Sequence, residues 1–492
     1  MSRSRHSGIW SDARRPRPNL NGPDKAEKSG QPAEAEEHRS VFQQDYDRLL
    51  FSTPVRRLAD KTQVWPMDQN DGIRSRLTHS HEVANLARSI GTKVYLQARD
   101  HFVYPDGDPV DLHDVIQPIL LVIGLGHDLG NPPFGHQGEV AIGKWFESQG
   151  NSIFSPSEKS DGELSAPIPK QYWSEFTKFD GNPQSLRLLT TLQAHIDDLG
   201  LDLSAATLAA GLKYPVSYQN RNRDKAALKK GGYFESERKI VDWIRAKTGL
   251  REGERHPLIW IMEACDDIAY SILDIDDALK KGIMSPDEMR IILHNEFPHD
   301  QTIDSIKKKF EDVDGKFSAL KMNTDIKIQY LRAFLIKSLI DHASTVFTNH
   351  AKAIFNYRHE ISLMEESRLC NKLKEIAKSN VFNHSSVLRT EACGAAAIDG
   401  LMTALWDAIS DRKEHNNLRS DRNNPRARYI FAKISPNYLR QAADIPSDSS
   451  EVTGNIRYRE LRLLTDMISG MTDSFALRFW EDIKSIPYVN RP

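Results

Sequence analysis

Residues 112–146 read LHDVIQPILLVIGLGHDLGNPPFGHQGEVAIGKWF, and the fold class follows from this stretch. From Val115 to Leu125 apolar side chains take nearly every position. A helix that is hydrophobic all round is buried. Gly130 and the Pro132–Pro133 pair stop it, and a second helix restarts over 139–146 with Ala141, Ile142, Trp145 and Phe146 on one face. A buried helix needs other helices around it, and the flanks supply them. Val83, Leu86, Ala87, Ile90 and Val94 keep the i, i+3, i+4, i+7 rhythm over 81–98. The same periodicity predicts helices over 183–192, 205–213, 257–281, 303–320, 325–346, 362–378, 396–411 and 457–485. Strand-like alternation is scarce, so the chain is expected to be all-α.

The 492 residues include 66 Lys+Arg and 68 Asp+Glu, a net charge of −2, which excludes a histone-like polycation. With 39% hydrophobic residues the chain has ample material for a large core. Three cysteines without a CxxC pair argue against a disulfide framework and for a reducing cytoplasm. No apolar run approaches the roughly 18 residues that span a bilayer, and MSRSRHSGIW lacks the apolar segment of a secretory signal. No membrane partner is therefore expected. Residues 1–40, rich in Pro, Gly and charge, read as a disordered, solvated tail. A core is expected over 41–285, with surface insertions near 149–180 and 215–235, and further helices packed on it over 286–492.

His127 and Asp128 close the buried helix. Imidazole and carboxylate are suitable ligands for Mg²⁺, Mn²⁺, Fe²⁺ or Zn²⁺, but adjacent residues need further ligands from other segments. His79, in RSRLTHSHE, and Asp266, in MEACDDIAYSILDIDDA, are candidates. An ionised Asp on an otherwise apolar helix needs a partner, and a metal supplies one. Alone, a His-Asp dipeptide reads as a helix-end surface pair; it is the order His, His-Asp, Asp on separate helices that points to a metal.

Seven segments carry a wider pattern: PVRRLADKTQVWP (54–66), RSRLTHSHEV (74–83), GHDLGNPPFGHQGE (126–139), FDGNPQSLR (179–187), GLKYP (211–215), WIMEACDDIAYSILDIDDA (260–278) and DMISGMTDSFAL (466–477). Their order resembles the HD-domain phosphohydrolases, and more narrowly the bacterial deoxyguanosine triphosphate triphosphohydrolases. The resemblance implies an HD-type helical core and a nucleotide site completed by the C-terminal helices. It implies His79, His127, Asp128 and Asp266 as ligands of a divalent metal, Mn²⁺ or Mg²⁺, with Asp267 as the alternative to Asp266. His136 and Glu139 match the catalytic His and its carboxylate partner, His136 serving either as proton donor to the leaving oxygen or as base to the water. Arg76, Lys213, Lys230 and Asn182 match phosphate and nucleotide contacts, and Gln63, Tyr270 and Asp274 the sugar side. The implied substrate is dGTP, or another deoxynucleoside triphosphate, cleaved to a deoxynucleoside and tripolyphosphate by a homo-oligomer, a hexamer in the long members. The rival readings are hydrolysis of another nucleotide and a nucleotide-sensing or single-stranded-DNA-binding protein. The basic stretches 14–17 and 419–428 leave DNA open as a partner.

Overall fold

The computed structural model describes residues 8–17, 38–65, 70, 72–155, 167–317, 322–444 and 451–486. Among them no β-strand forms, and pairing stops at four isolated bridges. The all-α expectation holds.

The Gln117–Gly126 helix lies at the centre, with Ile119, Leu120, Val122, Ile123 and Leu125 all buried. Each such side chain stabilises the fold by roughly 1.5–3 kcal/mol relative to exposure. Gly124 lets this helix approach the Arg76–Gln97 helix closely: a Cβ at 124 would lie 2.6 Å from the Ala84 Cα. That approach places His127, at the C-terminal end of one helix, opposite His79, in the first turn of the other. The Pro257–Lys280 helix starts with Pro257 in its first turn and His256 as N-cap. It packs on Arg76–Gln97 and on the long Met322–Phe355 helix.

One described helix, Ser385–Ser410, is long and apolar enough to cross a membrane by length and composition. Its apolar side is spent on the protein, packing against Gly135–Gln149, Pro425–Phe431, Ile456–Ser469 and Asp473–Lys484. The two large hydrophobic clusters each mix residues from before and after position 285, so both halves of the chain share their cores.

Three expectations differ in detail. The helix predicted over 457–485 is two, Ile456–Ser469 and Asp473–Lys484, because Thr472 turns out to be an N-cap whose side chain accepts from the Phe475 amide. The expected surface insertion at 149–180 buries Phe154, Ile168, Phe176 and Phe179; residues 156–166 lie outside the described residues. The expected tail also fails over 8–17. Trp10 is buried against Phe102 and His256. The chain runs on with backbone bonds from Ala205 to Ala13 and from Ala206 to Ser11. One large ring in a segment poor in apolar residues is enough to dock it. The remaining tail, 1–7 and 18–37, lies outside the described residues.

Candidate active site

Three of the four expected metal ligands converge. His79 Nε2 lies 3.7 Å and His127 Nε2 3.5 Å from Asp266 Oδ1, and these three residues form a potential metal-holding group. His127 Nδ1 donates to the Gly124 carbonyl at 2.7 Å, which turns Nε2 toward the cluster. Both nitrogens of His79 and Nε2 of His127 are buried without a hydrogen-bond partner among the described residues. Buried imidazole nitrogens left bare beside a carboxylate suit a divalent cation. Asp128 stands alongside, its Oδ2 3.6 Å from His127 Nε2. Its oxygens are bonded by Arg76 and by Asn131 Nδ2. Asp267 points elsewhere, to Lys374 Nζ at 2.8 Å.

The charges reinforce one another. Burial opposes the imidazolium of His127, but Asp128 and Asp266 outweigh it and raise its pKa to about 9 in the absence of a cation. Burial opposes the carboxylate of Asp266, but the two imidazoles and Lys213 hold it well below the usual range. Lys213 Nζ sits 3.8 Å from Asp266 Oδ2 and 3.8 Å from Glu263 Oε1.

His136 follows a tight turn. Phe134 takes a left-handed φ of 61°, a conformation that costs a non-glycine residue energy, and its amide is held by Asp473 Oδ1 at 3.0 Å. Gly135 is also left-handed, and a Cβ there would strike the Arg76 guanidinium. The turn leaves the His136 side chain 76% exposed, its Nδ1 donating to Glu139 Oε2 at 3.0 Å. Glu139 Oε1 accepts from the Gly181 amide at 2.6 Å. The bond to Glu139 raises the His136 pKa against the opposing effect of burial.

Buried bare imidazoles beside a carboxylate thus lie in the same chain as an exposed His136 held by the mostly buried Glu139. The deoxyguanosinetriphosphate triphosphohydrolase-like protein of Listeria innocua serovar 6a is 32% identical over 458 residues, covering 91% of this chain and 94% of its own. The deoxyguanosinetriphosphate triphosphohydrolase of Salmonella paratyphi A is 30% identical over 488 residues, covering 92% and 94%. The chain belongs to the deoxyguanosinetriphosphate triphosphohydrolase family. No family model matches it.

Of the remaining candidate residues of this triphosphohydrolase-family chain, Arg76 reaches the cluster through Asp128. Lys230 pairs with Asp180. Asn182 is tied to Asp180 Oδ1 at 2.7 Å. On the helix carrying Asp266, Tyr270 is 39% exposed and stacks on Phe382, ring centroids 5.2 Å apart. One turn on, Asp274 is buried with neither oxygen partnered among the described residues, and Gln63 Oε1 is likewise bare among them. Burial, backed by the charge of Asp277, drives the Asp274 carboxyl well above its ordinary pKa.

Sequence reasoning missed the supports. Asn131 fixes Asp128. Glu263 bridges Lys213 and Arg255, whose Nη1 donates to it at 2.9 Å; its place three residues before Asp266 was the available signal. Lys61 is buried, donating to Asn131 O at 2.6 Å and Ser469 O at 2.8 Å, and burial lowers its pKa to about 7.

The basic stretches offered as DNA contacts are largely consumed within the fold. Arg14 pairs with Asp45 and Arg15 donates to the Thr190 and Leu199 carbonyls. Arg419 pairs with Asp444, and Arg422 is buried, donating to the Ala408 and Leu418 carbonyls.

Proposed function

We propose that this protein hydrolyses dGTP, or another deoxynucleoside triphosphate, to a deoxynucleoside and inorganic tripolyphosphate, using Mn²⁺ or Mg²⁺. The reading is carried by one juxtaposition, the bare nitrogens of His79 and His127 facing Asp266 in a chain that belongs to this family.

A divalent cation held by His79, His127 and Asp266, with Asp128 beside them, would supply Lewis acidity toward the α-phosphate and the attacking water. Lys213 and Arg76 balance phosphate charge near the α-position, and Lys230 holds the distal phosphates. Water adds to the α-phosphorus and the bond to the 5′-oxygen breaks. His136 donates the proton that this oxygen needs; the bond to Glu139 keeps the imidazolium populated toward neutral pH and fixes the ring. Asp274 and Gln63 hold the 3′-hydroxyl, and Tyr270 closes over C2′.

The working enzyme is read as a homo-oligomer, a hexamer by resemblance, in the cytoplasm, where three free cysteines stay reduced. Filter binding with single-stranded DNA tests whether DNA is a partner as well. The decisive experiment is phosphate-product analysis over all deoxynucleoside and ribonucleoside triphosphates with Mn²⁺ or Mg²⁺. Release of tripolyphosphate from dGTP supports the reading; release of pyrophosphate or orthophosphate overturns it.

A further inference from the structure

The stretch 219–230, QNRNRDKAALKK, reads in the sequence as a polar, basic loop, and only its last residue, Lys230, has a part in the proposed chemistry. In the fold it walls a cavity of about 350 Å³ that opens beside His136 and Glu139, with Lys144 and Glu147 facing it from the opposite side. The loop is a built element. Asn222 and Gly232 donate backbone bonds to Leu228 and Val216, and Gly231 lies so close to the Tyr218 ring that a Cβ would sit 2.4 Å from it.

The cavity holds a surplus of positive charge. Its three carboxylates are all engaged: Glu139 with His136 and the Gly181 amide, Glu147 with Lys178, and Asp180 with Lys230 and Asn182. Lys144, Arg221, Arg223 and Lys229 also line it, and among the described residues none of them has a carboxylate within ion-pair distance. Four unpaired cations around one concavity repel one another, and a polyanion relieves that repulsion. Lys230 belongs to both the cavity and the proposed triphosphate grip, so the cavity begins where the third phosphate would end.

We infer that this cavity is an extension of the triphosphate site that accepts phosphates beyond the third, so that the protein binds linear inorganic polyphosphate and accepts deoxynucleoside 5′-polyphosphates longer than a triphosphate. The placement of the third phosphate at Lys230 rests on the proposed function. With deoxyguanosine 5′-tetraphosphate, water oxygen bonds to the α-phosphorus, the bond to O5′ breaks and O5′ takes a proton, giving deoxyguanosine and tetrapolyphosphate. The lining favours a bare phosphate chain over nucleic acid. Its aromatic rings, Phe179 and Tyr218, are 5% and 3% exposed, which leaves no open face on which a base could stack.

The test is titration calorimetry of the full chain with tripolyphosphate, tetrapolyphosphate and longer linear polyphosphate. Affinity is expected to rise by about tenfold or more from the triphosphate to the longer chains, since each added phosphate meets further cations. The double variant Arg221→Glu/Arg223→Glu, on an exposed loop, should lose that gain while keeping tripolyphosphate affinity and dGTP turnover. Equal affinities across chain lengths in the wild type, or a gain that survives in the double variant, overturn the inference. So does an oligodeoxynucleotide of equal charge that binds more tightly and depends on the same two arginines, which would assign the cavity to nucleic acid. Binding is read without turnover, so absence of tripolyphosphate release from dGTP would strike the proposed function and leave this result to stand or fall by itself.

Discussion

Nδ1 of His136 donates to Oε2 of Glu139 at 3.0 Å, while the other oxygen of Glu139 is held by the Gly181 amide. The carboxylate is thus fixed by backbone before it fixes the ring. Because the charged imidazolium is the form that Glu139 favours, His136 keeps its proton to higher pH than a free histidine. As proton donor it should give a rate that falls as pH rises through this raised pKa. Glu139→Gln should shift that descending limb to lower pH and reduce kcat by about 10–10²-fold near pH 8, with KM little changed. A kcat profile between pH 5 and 9 checks this; an unmoved limb removes the pair from proton transfer.

The metal reading makes a separate demand. Asp266→Ala should bind Mn²⁺ poorly and lose turnover by about 10²-fold or more, since several kcal/mol of charge stabilisation goes with the ion. Chelation should silence the wild type, and Mn²⁺ should restore it but not the variant. Metal content of the purified proteins and activity after reconstitution are the measurements. A fully active variant at low metal concentration would refute the ligand assignment.

Sugar discrimination should rest on Tyr270, whose ring is held in place by its stack on Phe382. An unpaired 2′-hydroxyl beneath that ring costs about 1–3 kcal/mol. The wild type should therefore prefer dGTP over GTP by roughly one to two decades, and Tyr270→Ala should narrow that ratio more than it lowers the dGTP rate. Comparing kcat/KM for both nucleotides in both proteins decides the matter.

Stability should carry the signature of His256. Its Nε2 donates to the Ile9 carbonyl at 2.9 Å and its Nδ1 accepts from the Leu258 amide, so the folded protein holds it neutral. Burial lowers its pKa from 6.5 to about 4. Above pH 6.5 folded and unfolded forms are both neutral and nothing is lost. Between about 6.5 and about 4 the unfolded chain takes a proton that the folded one refuses, so stability falls by up to ~3 kcal/mol as the pH drops. Denaturant melts from pH 7.5 to 4.5 should show this slope, and His256→Asn should flatten it. Deleting residues 1–17, which removes Trp10 and the Ile9 carbonyl, should lower Tm instead of leaving it untouched.

Legibility followed locality. The short motifs around His79, His127 and Asp266 marked them as candidates, and the family resemblance singled out Asp266 over Asp267 and named the His136–Glu139 pair; the structure brings the first three together and joins the pair by a hydrogen bond. Helical periodicity likewise gave the helices around 117–126. The docking of 8–17 was hidden because composition averages over a window and one Trp does not move the average. The break at 470–472 had a readable Gly and Thr cap, masked by strong apolar periodicity on both sides. The cavity beside His136 was invisible because the loop's charges are a sequence property, whereas their common concavity depends on a helix some 80 residues earlier. Asp473 could not be connected to Phe134 by any local rule, since 339 positions separate them.

That last separation has a consequence during synthesis. Asp473 accepts the amides of Thr62 and Phe134 together, tying down the segment that leads to Gln63 and the strained turn that presents His136. A ribosome that has made the first 300 residues has already supplied the expected metal ligands and the His-Glu pair, but not the carboxylate that sets the turn. A chain cut short of residue 473 would keep His79, His127, Asp266 and the His136–Glu139 pair but lack the carboxylate that holds the Thr62 and Phe134 amides.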